Sequence, residues 1–147
     1  MRALHKFFSL TSQDRLLLVR AFGRLVEATI VVHFLPYRVL RGRLEENPIC
    51  SNAQSGEAAA KRVVWAIEAV GRRMPGATCL VKALAARSML ARCGYATDLR
   101  IGVSKDAAKR FIAHAWLEWR GSILLGGEQS PLQYEMMDLR PRSMGSG

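Results

Sequence analysis

Gly76-Ala77-Thr78-Cys79-Leu80-Val81-Lys82-Ala83-Leu84 opens a helical run that stops at Gly94, and Ile112-Ala113-His114-Ala115-Trp116-Leu117-Glu118-Trp119 follows as a strand. Pro75-Gly76 breaks whatever precedes, Thr78 suits the N-cap, and Cys79 falls in the first turn. A helix N-terminus favours a thiolate through its unpaired N–H groups and the positive end of its dipole. A cysteine there and a histidine on a later strand are the two parts of a thiol nucleophile with its base, which folding brings together. Helix first and strands after make this an α+β arrangement, N-terminal helices followed by an antiparallel sheet.

Upstream, Thr11-Ser12-Gln13-Asp14 reads as a capping box, so a helix is expected to run from there to about Leu35, ended by Pro36. Its polar residues Arg20, Arg24 and Glu27 share one narrow stripe, while Leu18, Phe22, Leu25, Val26 and Val32 leave most of the circumference apolar. Such a helix is a core helix, or it docks on a partner or membrane. Tyr37 to Leu44 suits a short basic helix, and Asn47 to Ser55 is a polar linker. A second helix, from about Gly56 to Arg73, shows an apolar face of Ala60, Val63, Val64, Ile67, Val70 and Met74.

From Thr97 the period becomes two, with Leu99, Ile101 and Val103 alternating with Asp98, Arg100 and Gly102. Phe111 to Trp119 and Ile123 to Leu125 are further strands joined through Arg120-Gly121-Ser122, and a last short strand lies within Tyr134 to Leu139. The expected organisation is one domain over 1–139, with its N-terminal helical part at about 11–44, and a disordered tail over 140–147.

The 147 residues allow one domain with a sizeable core. The formal net charge of +10 predicts attraction to acidic partners. It is spread out, with 8 basic against 4 acidic residues up to Cys50 and 14 against 8 after it. No compact basic block with interleaved aromatics occurs, which argues against nucleic acid. Three cysteines point to a reducing compartment, and no signal peptide or membrane-spanning segment is legible. A cytoplasmic protein is expected.

Cys50 and Cys93 read as ordinary cysteines, Cys93 lying at the helix end that disfavours a thiolate. His5 and His33 suggest no chemistry, and the absence of C-x-x-C and H-x-x-x-H spacing argues against zinc. His114 alternates with Trp116 and Glu118 on one strand face.

The Gly76-to-Leu84 string, then Gly94-Tyr95 leading to Leu99-Arg100-Ile101-Gly102-Val103, then Ala113-His114-Ala115-Trp116-Leu117-Glu118, together resemble the lasso-peptide leader peptidases. These are the transglutaminase-like cysteine proteases of lasso-peptide biosynthesis. The basic stretch from Pro36 to Arg43 and Val63-Val64-Trp65-Ala66 also suit that family. The resemblance implies a papain- or transglutaminase-like core and a Cys-His-acid triad that removes the leader from a ribosomally made precursor peptide. Cys79 matches the nucleophile and His114 the base. Where the family has an aspartate this chain has Leu125-Gly126-Gly127-Glu128, so Glu128 is the candidate orienter, with Asp138 a distant second. A three-residue hairpin loop would pair 119 with 123 and 114 with 128, whereas a two-residue loop would set Gly127 opposite His114. Glu118 shares the His114 face but lies roughly 13 Å along it at about 3.3 Å per residue.

The resemblance further implies a separate leader-binding protein, a RiPP recognition element, because this chain opens with a helix where such an element opens with strands. The lasso cyclase is the downstream partner, and the chemistry requires no cofactor. Two rival readings stand beside this one: a transglutaminase-like acyltransferase using the same dyad, and a non-catalytic basic binding module.

Overall fold

The computed structural model describes residues 11–36, 38–39, 42, 56–105, 109–127 and 135–136. Residues 38, 39 and 42 of the basic stretch are helical. Cys50, the 47–55 linker, Glu128, Asp138 and the 140–147 tail lie outside the described residues.

Helix α1 spans Ser12–Phe34. Thr11 caps it: Oγ1 accepts from the Asp14 N–H at 3.2 Å and donates to Asp14 Oδ2 at 2.7 Å. The Asp14 carboxylate also pairs with Arg62, so the cap doubles as a tie to the next helix. Leu35 leaves helical geometry at φ −95° and ψ 150°, the extended conformation that a following proline imposes. Ala21, Leu25, Ala28 and Val31 are buried. Leu16, Val19, Phe22, Ile30 and Phe34 are exposed on the other side. The wide apolar circumference thus divides into a core face and an outward stripe, with an Arg24–Glu27 ion pair between turns. Among the described residues no helix is long and apolar enough to cross a membrane.

Helix α2, Glu57–Gly71, buries Ala60, Val63, Ala66 and Ile67, and Val64, Val70 and Met74 pack at the edge of the core. It ends two residues before the expected Arg73, in a turn closed by Gly76 at φ 82°, a left-handed conformation that glycine adopts without Cβ strain. Helix α3, Cys79–Arg92, is the centre of the packing. It contacts α1, α2 and the sheet. Val81, Ala83, Ala85, Ala86, Arg87, Met89 and Leu90 are all buried, because helices cover one side and strands the other. The alanines fit this: short side chains allow close approach on several faces at once.

Four strands follow: β1 Asp98–Lys105, β2 Phe111–Trp119, β3 Ser122–Leu125 and β4 Glu135–Met136. They form one antiparallel sheet in the order β3-β2-β1-β4. Leu99 pairs with Leu117 and Ile101 with Ala115, so these four share the face turned to the helices. Tyr95 joins the layers, its ring edge-on to Trp119 at 5.4 Å and its hydroxyl donating to the Gly56 carbonyl at 2.9 Å. The core centres on Leu25, Ile67, Val81, Leu90 and Leu117, all fully buried. Each such side chain contributes about 1.5–3 kcal/mol of transfer free energy.

Of the two loop lengths the sequence left open for the β2–β3 hairpin, the structure has the two-residue one, so Ser122 belongs to β3 and not to the connection. Trp119 pairs with Ser122, leaving only Arg120 and Gly121 in the turn. Both have positive φ, 50° and 77°, the type I′ pattern whose twist matches that of the flanking strands. Arg120 adopts it with its guanidinium 4.6 Å over the Trp119 ring. A bulge then intervenes, since Glu118 pairs with Ile123 but Leu117 with Leu125. The extra residue, Leu124, returns the ladder to the register that a three-residue loop would have set.

Candidate active site

Cys79 is the first residue of α3, held at that position by its neighbour. Thr78 is extended at φ −66° and ψ 170°, and its Oγ1 accepts from the Val81 N–H at 3.4 Å. The Cys79 N–H therefore belongs to the open first turn. Its side chain is a free thiol, half-buried at the edge of the core. Cys93, also a free thiol, is exposed at the C-cap of the same helix, the end where the dipole opposes negative charge.

His114 is on β2, the strand against which α3 packs. That packing runs through Ala115 and Leu117, and the pleat places His114 on the alternate set with Trp116 and Glu118, as the sequence implies. Directly opposite His114 on β1 is Gly102, so no side chain stands beside the ring from that position. The Nε2 atom of His114 lies 2.9 Å from the Gly126 carbonyl oxygen. A carbonyl only accepts, so Nε2 carries the hydrogen, and Nδ1 is the basic nitrogen of the neutral ring.

Gly126 is at φ 83°, and a Cβ there would lie 3.0 Å from both the Ala115 carbonyl oxygen and Trp116 Cβ. Only glycine brings this backbone close enough to hold the imidazole. The group that holds the imidazole is a backbone carbonyl, which carries no signal in a sequence. The nearest signal is the glycine pair Gly126-Gly127 at the strand end. Glu128, the candidate carboxylate, lies outside the described residues.

The second feature missed from sequence is a chain of contacts on the His114 face. Trp116 stacks on His114 with ring centroids 6.1 Å apart and an 18° interplanar angle. Its Nε1–H donates to Glu118 Oε1 at 2.8 Å, and Arg100 Nε donates to Glu118 Oε2 at 3.3 Å. Glu118 is too far along the strand to touch His114, but Trp116 links them.

A free thiol thus heads α3, and the imidazole stands on the strand that α3 packs against, on the sheet face opposite the one turned to the helices. No curated protein and no solved structure matches the chain. A family model described as "Transglutaminase-like superfamily" matches residues 22–137, a span that contains Cys79, His114 and the sheet that carries the imidazole. With three helices leading into an antiparallel sheet, the cysteine heading the last helix and the histidine on the second strand, the chain belongs to the transglutaminase-like superfamily, whose members are typically cysteine-peptidase-like enzymes.

Proposed function

We propose that this protein is a cysteine peptidase that removes the leader from a ribosomally synthesised lasso-peptide precursor, with Cys79 as nucleophile and His114 as base. The reading is supported by the capped helix start at Cys79 and by an imidazole on the strand packed against that helix, its Nε2 tied to the Gly126 carbonyl. The motifs around both residues supply the substrate class by resemblance. In the reaction, Nδ1 of His114 takes the Cys79 proton and the thiolate sulfur bonds to the carbonyl carbon of the last leader residue. The Cys79 N–H donates to the oxyanion. The tetrahedral intermediate collapses with cleavage of the C–N bond, and the imidazolium returns its proton to the departing amine of the core peptide. Water, deprotonated by His114, then attacks the thioester, and the leader leaves with a free carboxylate while Cys79 regains its proton.

Glu128 is proposed as the carboxylate that stabilises the imidazolium, two residues beyond the carbonyl that holds Nε2. A separate leader-binding protein with a recognition element is the proposed partner for substrate capture, and the lasso cyclase takes the product. The +10 formal charge supports an acidic peptide or protein partner.

The test uses a lasso-peptide precursor together with a leader-binding recognition-element protein, with products weighed by mass spectrometry. Wild type, Cys50→Ala and Cys93→Ala should release the leader, and Cys79→Ala and His114→Ala should not. Leader removal by Cys79→Ala overturns the peptidase reading. Incorporation of an added amine at the new leader terminus, in place of water, would assign acyltransferase chemistry to the same dyad.

A further inference from the structure

We infer that the outward stripe of α1 is the contact between two copies of this chain, packed antiparallel about a two-fold axis that passes between Gly23 and Val26. The inference is independent of the chemistry at Cys79.

Leu16, Val19, Gly23, Val26 and Ile30 follow one another at intervals of three, four, three and four residues. That alternation is the seam along which one helix packs on another. Leu16, Val19 and Ile30 are 52%, 59% and 47% exposed, and the half-buried Val26 is not among the residues packed on the core. Single apolar side chains are ordinary on a surface, whereas a continuous row marks a contact. At the middle of the row, nothing lies within 4 Å of a Cβ built on Gly23. A glycine inside a helix costs about 0.5–1 kcal/mol relative to alanine. Here it opens a gap through which a facing helix can approach closely.

Charge decides what fills the seam. Arg20, exposed, and Glu27, 41% exposed beside its partner Arg24, stand two turns apart on one flank. A flank of cations alone would fit an acidic protein or an anionic lipid surface, but an acid among them is repelled by either. Reversed end for end, the pattern complements itself. Arg20 of one copy meets Glu27 of the other, and the two-fold repeats the pair. A carboxylate accepts several donors, so Glu27 can take this cation and keep Arg24. The same axis sets Gly23 against Val26 of the second copy and Val19 against its Ile30. The formal charge of +10 on each chain opposes association. It is spread over the chain, and at physiological ionic strength charges further apart than about 8 Å are largely screened.

The experiment is sedimentation equilibrium of the full chain at physiological salt, with reductant present so that the exposed Cys93 forms no disulfide between chains. The concentration runs from about 1 to about 100 μM, the affinity range expected of an interface below standard size. Wild type should pass from the monomer to twice its mass. Ile30→Glu buries an unpaired charge at the contact and should weaken dimerisation by more than about tenfold, with the melting temperature of the monomer unchanged. Arg20→Glu and Glu27→Arg should each weaken it, because each sets like charges together twice. Mixed in equal amounts, these two variants should associate as wild type does, since every Glu then meets an Arg. A structural effect on either chain alone gives no such rescue. A wild type still monomeric at the top of the range, a dimer that Ile30→Glu leaves intact, or a mixture no heavier than its two components overturns the inference. Capture of monomeric wild type on phosphatidylserine vesicles, lost in Ile30→Glu, would assign the stripe to a lipid surface and refute it equally.

Discussion

The Nε2 atom of His114 donates to the Gly126 carbonyl at 2.9 Å, across the gap between β2 and the end of β3. One consequence is directly observable. The neutral imidazole of His114 should be the Nε2–H tautomer, which long-range proton–nitrogen correlation in labelled protein distinguishes from the alternative. An Nδ1–H tautomer would remove the basic nitrogen from the place the mechanism needs it.

Gly126→Ala should damage both fold and chemistry. The new methyl meets the Ala115 carbonyl and Trp116 Cβ at 3.0 Å, and the residue sits at φ 83°. The left-handed conformation alone costs roughly 1–2 kcal/mol. Thermal unfolding should show that loss. The Cys79 alkylation rate should fall beyond it, because the carbonyl that holds the imidazole is displaced. Gly121→Ala is the comparison, since nothing lies within 4 Å of a Cβ there and His114 is not involved. It should lower stability and spare the thiol rate.

Glu128→Gln should lower leader removal by less than about tenfold, against the 10²–10⁴ typical of losing a base outright. The Gly126 carbonyl already fixes the tautomer, which leaves the carboxylate the smaller task of stabilising the imidazolium. Glu128→Asp should be intermediate. Turnover rates under saturating precursor decide. A loss as large as that of His114→Ala would make the carboxylate the principal orienter.

On α1, two neighbours should behave oppositely. Leu25 is fully buried among Ala21, Ala28 and the residues of α2 and α3, whereas Phe22 is 55% exposed on the outward stripe. Leu25→Ala should destabilise by about 2–5 kcal/mol through transfer and cavity terms. Phe22→Ala should stay within about 0.5 kcal/mol, as surface changes usually do. Denaturant midpoints at constant m-value test the pair.

The Asp14 carboxyl is held below its ordinary range first by its hydrogen bond to Thr11 and then by Arg62. A folded-state pKa lower than the unfolded one stabilises the fold fully above the unfolded value, about 3.9 for aspartate, and the contribution fades as pH falls through the lowered folded value. Asp14→Asn should therefore lower the melting temperature near neutral pH, and the gap to wild type should close in acid. A gap independent of pH would mean that the ionised carboxylate adds nothing through either Thr11 or Arg62.

Local chemistry written in consecutive residues was legible from the start. Thr11 and Thr78 offer side-chain oxygens to nearby N–H groups whatever surrounds them, so both helix starts, and with them the place of Cys79, follow from the chain alone. The alternation in β1 and β2 equally assigned His114, Trp116 and Glu118 to one face. Tertiary structure decided the rest. The burial of α3 on several sides depends on layers that its own sequence does not contain. The bulge at Leu124 depends on a competition between a type I′ turn and the register that seats Leu125 in the core, two demands that a two-residue loop alone cannot meet. The Gly126 carbonyl became the partner of His114 only because that bulge brought a side-chain-free backbone against Trp116. A backbone carbonyl is the same group at every residue, so its role is invisible in sequence and is assigned only by the approach of another strand.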